Sequence, residues 1–167
     1  MPERKTLKRA AEDKREGKAP TTQAGEFVRE EMDHVREGKH GARSTKQAIA
    51  IGLSKARRAG VDLPPPKKGA TSEKTSTSAA RAYQAGHEGG KEPVSAGRSR
   101  AVESALKREP HAAASKSALS KQATTAARKR SASDRSAAAR KGAETKGAAG
   151  RSAAARKAAA TRARRGH

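Results

Sequence analysis

Apolar positions recur at helical spacing over several turns in the first third of the chain. In residues 3–16, Leu7, Ala10 and Ala11 share one side and charges occupy the rest. Gly17 ends that segment, and Pro20 is expected to keep the connection extended. Thr21 or Thr22 can cap a second helix to about Glu37, with Val28, Met32 and Val35 at i, i+4, i+7 and Phe27 at its edge. Gly38 closes it. The third segment is the best specified. Ser44 followed by Gln47 is a capping box. At 100° per residue Ile49, Leu53 and Ala56 align, with Ala48, Gly52 and Ala59 beside them and Ile51 on a flank. Gly60 is placed for a left-handed cap with Val61 closing the apolar contact, and Pro64, Pro65 and Pro66 forbid continuation. Arg15-Glu16-Gly17-Lys18 returns as Arg36-Glu37-Gly38-Lys39, which reads as shared cap chemistry or a weak duplication.

The pattern then fades. Residues 64–98 read as a linker with a short helix at 79–85 around Tyr83 and a flexible break from Gly86 to Pro93. Residues 99–109 carry Val102 and Leu106 at i, i+4, Pro110 interrupts, and residues 112–130 are Ala-rich around Leu119. In the last third, Arg135-Ser136-Ala137-Ala138-Ala139-Arg140-Lys141 repeats as Arg151-Ser152-Ala153-Ala154-Ala155-Arg156-Lys157, with Gly142, Gly147 and Gly150 between. Its basic residues point all round a helix. Such a helix has no face to bury and is expected to be mostly unfolded until phosphates neutralise it.

Composition sharpens this picture. Leu, Ile, Val and Phe together number 13 in 167 residues. That is below half of the ~20% that marks disordered chains. The 38 alanines favour helix but each buries little area. The expected fold is therefore all-α: a small two- or three-helix head over residues 1–63, a linker over 64–98, and a largely disordered Ala/Lys/Arg-rich tail with short helices over 99–167. Burial in such a head is marginal, so a homodimer through Val28, Met32, Ile49 and Leu53 is a natural partner arrangement.

Charge supplies the functional reading. The net charge is +22, distributed as +6 over residues 1–60, +1 over 61–93 and +15 over 94–167. From Lys116 to Arg165 there are 15 basic residues against Asp134 and Glu144. Lys and Arg at this density displace counterions from a polyphosphate. With one Phe, one Tyr and no Trp, stacking on unpaired bases is not expected, and phosphate contact to duplex DNA is favoured over RNA. The tail residues expected at phosphates are Lys116, Lys121, Arg128, Lys129, Arg130, Arg135, Arg140, Lys141, Arg151, Arg156, Lys157, Arg162, Arg164 and Arg165. A second candidate is the loop Gly38–Ser44 entering a helix N-terminus, where Lys39, Arg43 and Lys46 would surround an anion, joined by Lys55, Arg57 and Arg58 of the helix. It lacks Walker A spacing.

Other classes find little footing. There is no cysteine, hence no thiolate site. Asp33, His34 and His40 are the only histidine-bearing group worth naming as ligands, without an H-E-x-x-H spacing, and no metal, cofactor or small-molecule substrate is expected. No dry catalytic pocket is expected, so the chain reads as a non-enzyme. Ser131, after Arg128-Lys129-Arg130, has the look of a basic-directed phosphorylation site. No segment approaches the ~20 apolar residues of a membrane span, and a cytoplasmic, nucleoid location follows.

The block EFVREEMDHVREGKHGARSTKQAIAIGLSKARRAGVDLPPPKKG resembles a family of small basic bacterial proteins with an uncharacterised domain. Its members carry labels such as plasmid stabilisation protein or DNA-binding protein, and GKHGARSTKQAIAIGLSKARRAG is its core. The tail is similar in composition to linker-histone-like bacterial proteins. The resemblance implies a histone-like or plasmid-maintenance role, with non-sequence-specific nucleic-acid binding. A disordered stress protectant and an RNA- or ribosome-associated protein remain the alternatives.

Overall fold

The computed structural model describes residues 1–88 and 95–165. Seven α-helices and one short 3-10 turn follow in order: α1 (Arg4–Arg15), α2 (Pro20–Arg36), α3 (Thr45–Arg58), α4 (Glu73–His87), α5 (Ala96–Lys107), the turn His111–Ala114, α6 (Lys116–Arg128) and α7 (Ala132–Arg165). Two compact units result, Met1–Gln122 and Ala123–His167.

The first three helices stand where periodicity put them, and their ends show why. At Gly17 and Gly38 φ is +69° and +74°. In each case the next amide reaches back: Lys18 N–H donates to Asp13 O at 2.9 Å and Lys39 N–H to His34 O at 3.0 Å. Both are the left-handed Schellman closure, which a residue bearing Cβ adopts only with strain. The recurring Arg-Glu-Gly-Lys is therefore one cap used twice. Gly60 and Val61 repeat it after α3, with Val61 N–H on Ala56 O at 3.1 Å. The start of α3 also follows expectation: Gln47 N–H donates to Ser44 Oγ at 3.2 Å, and the Gln47 side chain accepts from Arg43 N–H at 2.9 Å. The start of α2 does not. Neither Thr21 nor Thr22 caps it, and Pro20 sits in its first turn, where a missing N–H costs nothing.

The buried faces differ from the expected ones by about one residue. On α3 the buried side is Thr45, Ala48, Gly52 and Ala56, while Ile49 and Leu53 are only partly covered. On α1, Thr6 and Ala10 are buried and Leu7 is exposed. Small residues win these positions because they let helix axes approach closely. A Cβ on Gly52 would stand 2.7 Å from Val28 Cα. Two clusters form the core: Met32, Val35, Ala42, Ala48, Ala113 and Ala114, and separately Ala10, Ala24, Phe27, Ala56 and Val61. Val28 and Ile49 pack on the first and Leu53 on the second.

The first unit is larger than a 1–63 head. Helix α4 begins at Glu73, capped by Ser72, and runs through Gly86 rather than spanning only 79–85. Ala79 and Ala82 are buried, and a Cβ on Gly86 would lie 2.0 Å from Arg57 O. Residues 89–94 of the expected break lie outside the described residues. Tyr83 Oη donates to Asp62 Oδ1 at 2.6 Å, tying α4 to the turn after α3. That bond, made by the neutral phenol, raises the Tyr83 pKa above its ordinary 10.0. Since Tyr83 is the sole tyrosine and there is no tryptophan, tyrosinate absorbance reports this contact alone. Its titration midpoint is expected above 10, and lower in Asp62→Ala; the contact stabilises the fold below pH 10 and is lost as pH rises through the folded-state midpoint.

Residues assigned to the tail also close the first unit. Gly41 N–H donates to Leu106 O at 2.9 Å and Ala42 N–H to Pro110 O at 3.1 Å. Thr45 Oγ1 donates to Ala113 O at 2.6 Å and Arg36 Nε to Ala114 O at 3.0 Å. Ala113 and Ala114 enter the core and Leu119 packs against it.

The expectation of a largely disordered tail is overturned by α6 and α7. In α7 the helix interrupts at Gly147 (φ 64°, ψ 175°), while Gly142 and Gly150 remain helical. Ser131, which resembled a phosphorylation site, caps it: Asp134 N–H donates to Ser131 Oγ at 3.0 Å. The missing apolar face was decisive in the sequence reading. What outweighs it is intrinsic propensity, since alanine is the best helix former and recurs throughout α7.

Candidate functional site

The cations expected to meet phosphate fall into two groups. Those between residues 39 and 58 are mostly engaged. Lys39 pairs with Glu37 at 3.0 Å and with Glu3 at 3.2 Å, and these carboxylates raise its pKa, Glu37 first. Arg57 is buried, donating to Leu63 O at 3.0 Å and Pro64 O at 3.2 Å. Its pKa is lowered by that burial. It is a structural strap for the proline run, not a surface cation. Lys55 is held among carboxylates. Arg43, Lys46 and Arg58 are exposed, Arg58 donating to Ser54 Oγ at 3.0 Å. The Gly38–Ser44 loop is not an open anion cradle either, because Gly41 and Ala42 amides are committed to Leu106 and Pro110.

The second group is different. Lys116, Lys121, Arg128, Lys129, Arg130, Arg135, Arg140, Lys141, Arg151, Arg156, Lys157, Arg162 and Arg164 are exposed; the Arg165 side chain lies outside the described set. In the first unit, ion pairs run from Glu3 to Lys107. In α7, arginines turn instead to backbone carbonyls: Arg135 to Arg130 O at 3.0 Å and Arg151 to Ala143 O at 2.8 Å. Successive steps of five, one and five residues from Arg135 through Arg140 and Lys141 to Lys146 distribute charge around the circumference.

A third arrangement was missed by sequence reasoning. Helix α2 carries adjacent buried carboxylates, Glu30 and Glu31, and α3 brings Lys55 between them. Lys55 Nζ is 2.7 Å from Glu31 Oε2 and 3.5 Å from Glu30 Oε1. Glu31 is fully buried, and neither of its oxygens has an aligned hydrogen bond. His40 Nε2 stands 3.3 Å from Glu31 Oε1. Glu30 is better served. Burial pushes its pKa up, but the Thr6 hydroxyl, the Glu3 N–H at 3.0 Å and the charge of Lys55 outweigh this, and the net direction is down. Glu3 is held down to about 2 by His34, then by Lys5 and Lys39. The His34 Nε2–Glu3 Oε1 distance is 2.8 Å. Asp33, named from sequence beside the two histidines, pairs instead with Arg36 at 3.3 Å. The signal that could have found Glu31 was its i, i+3 spacing to His34 on α2.

Residues 14–68 match a family of unknown function (DUF6496). The matched segment runs from the end of α1 through α2 and α3 to the proline run. It contains Glu30, Glu31, His34, His40 and Lys55, and excludes Glu3, α4 and everything after it. No curated protein and no solved structure matches the chain. Among the described residues, no helix is long and apolar enough to cross a membrane.

Proposed function

We propose that this protein binds nucleic acid, duplex DNA in preference to RNA, through phosphate contacts made by α6 and α7, without base reading. The observation that carries this is the exposed ring of cations on α7. Ten basic residues and two acids occupy Ala132–Arg165. At 1.5 Å per residue that is roughly one cation per 5 Å of helix, set against a duplex phosphate every ~1.7 Å. Alanine and serine between the cations keep the helix thin enough for a major groove about 12 Å wide. Cations on all sides suit a groove with phosphates along both walls. The α7 sequence contains no aromatic residue, Asn or Gln, which disfavours stacking and adenine readout.

The test is fluorescence anisotropy with a labelled duplex across a salt series, using the full chain. In a variant with Arg135, Arg140, Lys141, Arg151, Arg156 and Lys157 all changed to Gln, the slope of log K against log salt should shrink by up to about 5. An unchanged slope would sink the reading. Equal or tighter binding to structured RNA in competition would move the target from DNA to RNA.

A further inference from the structure

We propose that Glu31, His34 and His40 form a binding site for one divalent transition-metal ion of the zinc type. One ligand atom from each lies within 4.8 Å of the other two. The hydrogen bonds around the histidines point the same way. His40 Nδ1 is 3.0 Å from Gly41 O. A carbonyl only accepts, so Nδ1 carries a hydrogen, which leaves Nε2 as the nitrogen that would take a metal ion. Nε2 faces Glu31 Oε1 at 3.3 Å, an oxygen that is buried and without a hydrogen bond. A metal ion between them would take the place that a proton on Nε2 otherwise fills. With Zn–N and Zn–O bonds near 2.0 Å, neighbouring ligands of a tetrahedral ion stand about 3.3 Å apart. The Glu31–His40 pair already has that separation. Bringing His34 in requires at most ~1.5 Å of side-chain movement.

The surroundings fit. His34 gives its Nε2–H to the Glu3 carboxylate at 2.8 Å. Ring N–H groups held by a carboxylate on one histidine and a backbone carbonyl on the other are the outer-shell pattern of metal-ligating histidines. The two rings are nearly perpendicular, at 88° with centroids 6.1 Å apart. Charge also permits a cation, since the Glu30–Glu31 pair meets a single cation, Lys55, in the interior. His34 lines a polar surface depression of mixed charge, with Glu3, Glu30, Asp33 and Glu37 facing Lys5, Arg9 and Arg29. Two imidazoles and one carboxylate favour Zn²⁺ over Mg²⁺ or Ca²⁺, which prefer all-oxygen sites.

The experiment is calorimetric titration of the metal-free full chain with Zn²⁺, with Mg²⁺ as the contrast. One Zn²⁺ per chain is expected, with affinity falling at least about tenfold in His34→Gln and in His40→Gln, and by about 10–100-fold in Glu3→Gln. His87→Gln and His111→Gln should bind as the parent does. Because a ligand variant could lose its fold, histidine ¹H–¹⁵N spectra of the unaltered protein give a second reading. Zn²⁺ should shift the His34 and His40 rings before those of His87, His111 and His167. Ordered shifts at the other histidines, indifference of binding to His34 and His40, or no binding at micromolar Zn²⁺ would overturn the site.

Discussion

Replacing Lys55 with methionine should cost about 3–5 kcal/mol, because it leaves buried carboxylates without their cation. Lys55 is the only side chain within 4.0 Å of both Glu30 and Glu31 among the described ion pairs. Glu31 has no aligned hydrogen bond to fall back on, whereas Glu30 keeps Thr6 and the Glu3 amide. A core built largely of alanine has little stability in reserve, so the variant should be substantially unfolded at room temperature. The measurement is urea unfolding followed by Tyr83 fluorescence, which reports the first unit. The double variant Lys55→Met with Glu31→Leu should recover much of the loss, since an apolar pair removes both desolvated charges. If Lys55→Met alone costs under about 1 kcal/mol, the pair behaves as a solvated surface bridge.

The second large effect is expected at Gly52. Alanine there would gain about 1 kcal/mol of helix propensity, yet its Cβ would stand 2.7 Å from Val28 Cα and 3.0 Å from Phe27 O. These are main-chain atoms, and they do not rotate aside. Helices α2 and α3 must separate, loosening Ala48 and Ala56 on the same face and Phe27 opposite. Overpacking of this kind costs about 1–3 kcal/mol. With propensity set against it, a net loss of up to about 2 kcal/mol and a fall in Tm of up to roughly 10 °C are expected. A rise in Tm would mean that the two helices have slack at this point.

The same glycine shows what a one-dimensional reading misses. The period of α3 was legible from Ile49 and Leu53, but the buried line runs through Thr45, Ala48, Gly52 and Ala56. Hydropathy scales rank the large residues first. Packing against a close neighbour ranks the small ones first. Alanine misled in two further places. Ala113 and Ala114 looked like tail composition and are core. The alanines of α7 looked unable to order a chain with no apolar face, yet propensity and the Ser131 cap suffice. The candidate cations divided for a related reason. Whether a Lys or Arg is free depends on what lies opposite it, and the partners of Arg57, Leu63 O and Pro64 O, lie six or seven residues on.

Local chemistry determined α1 to α3, their glycine caps, the Ser44 capping box and the concentration of positive charge after residue 94. These features depend on neighbours within about five residues, and sequence order carries that information directly. Tertiary structure alone decided the rest. It brought Leu106 to Leu119 back onto the loop before α3, and docked α4 through Gly86. It set Glu31, His34 and His40 in one cluster with Lys55 and Glu3, and left Asp33 outside. Glu3 and Glu30 are 27 positions apart and Arg36 and Ala114 are 78 apart. Contacts at such separations are chosen by how the helices pack, and no local pattern in the chain encodes them.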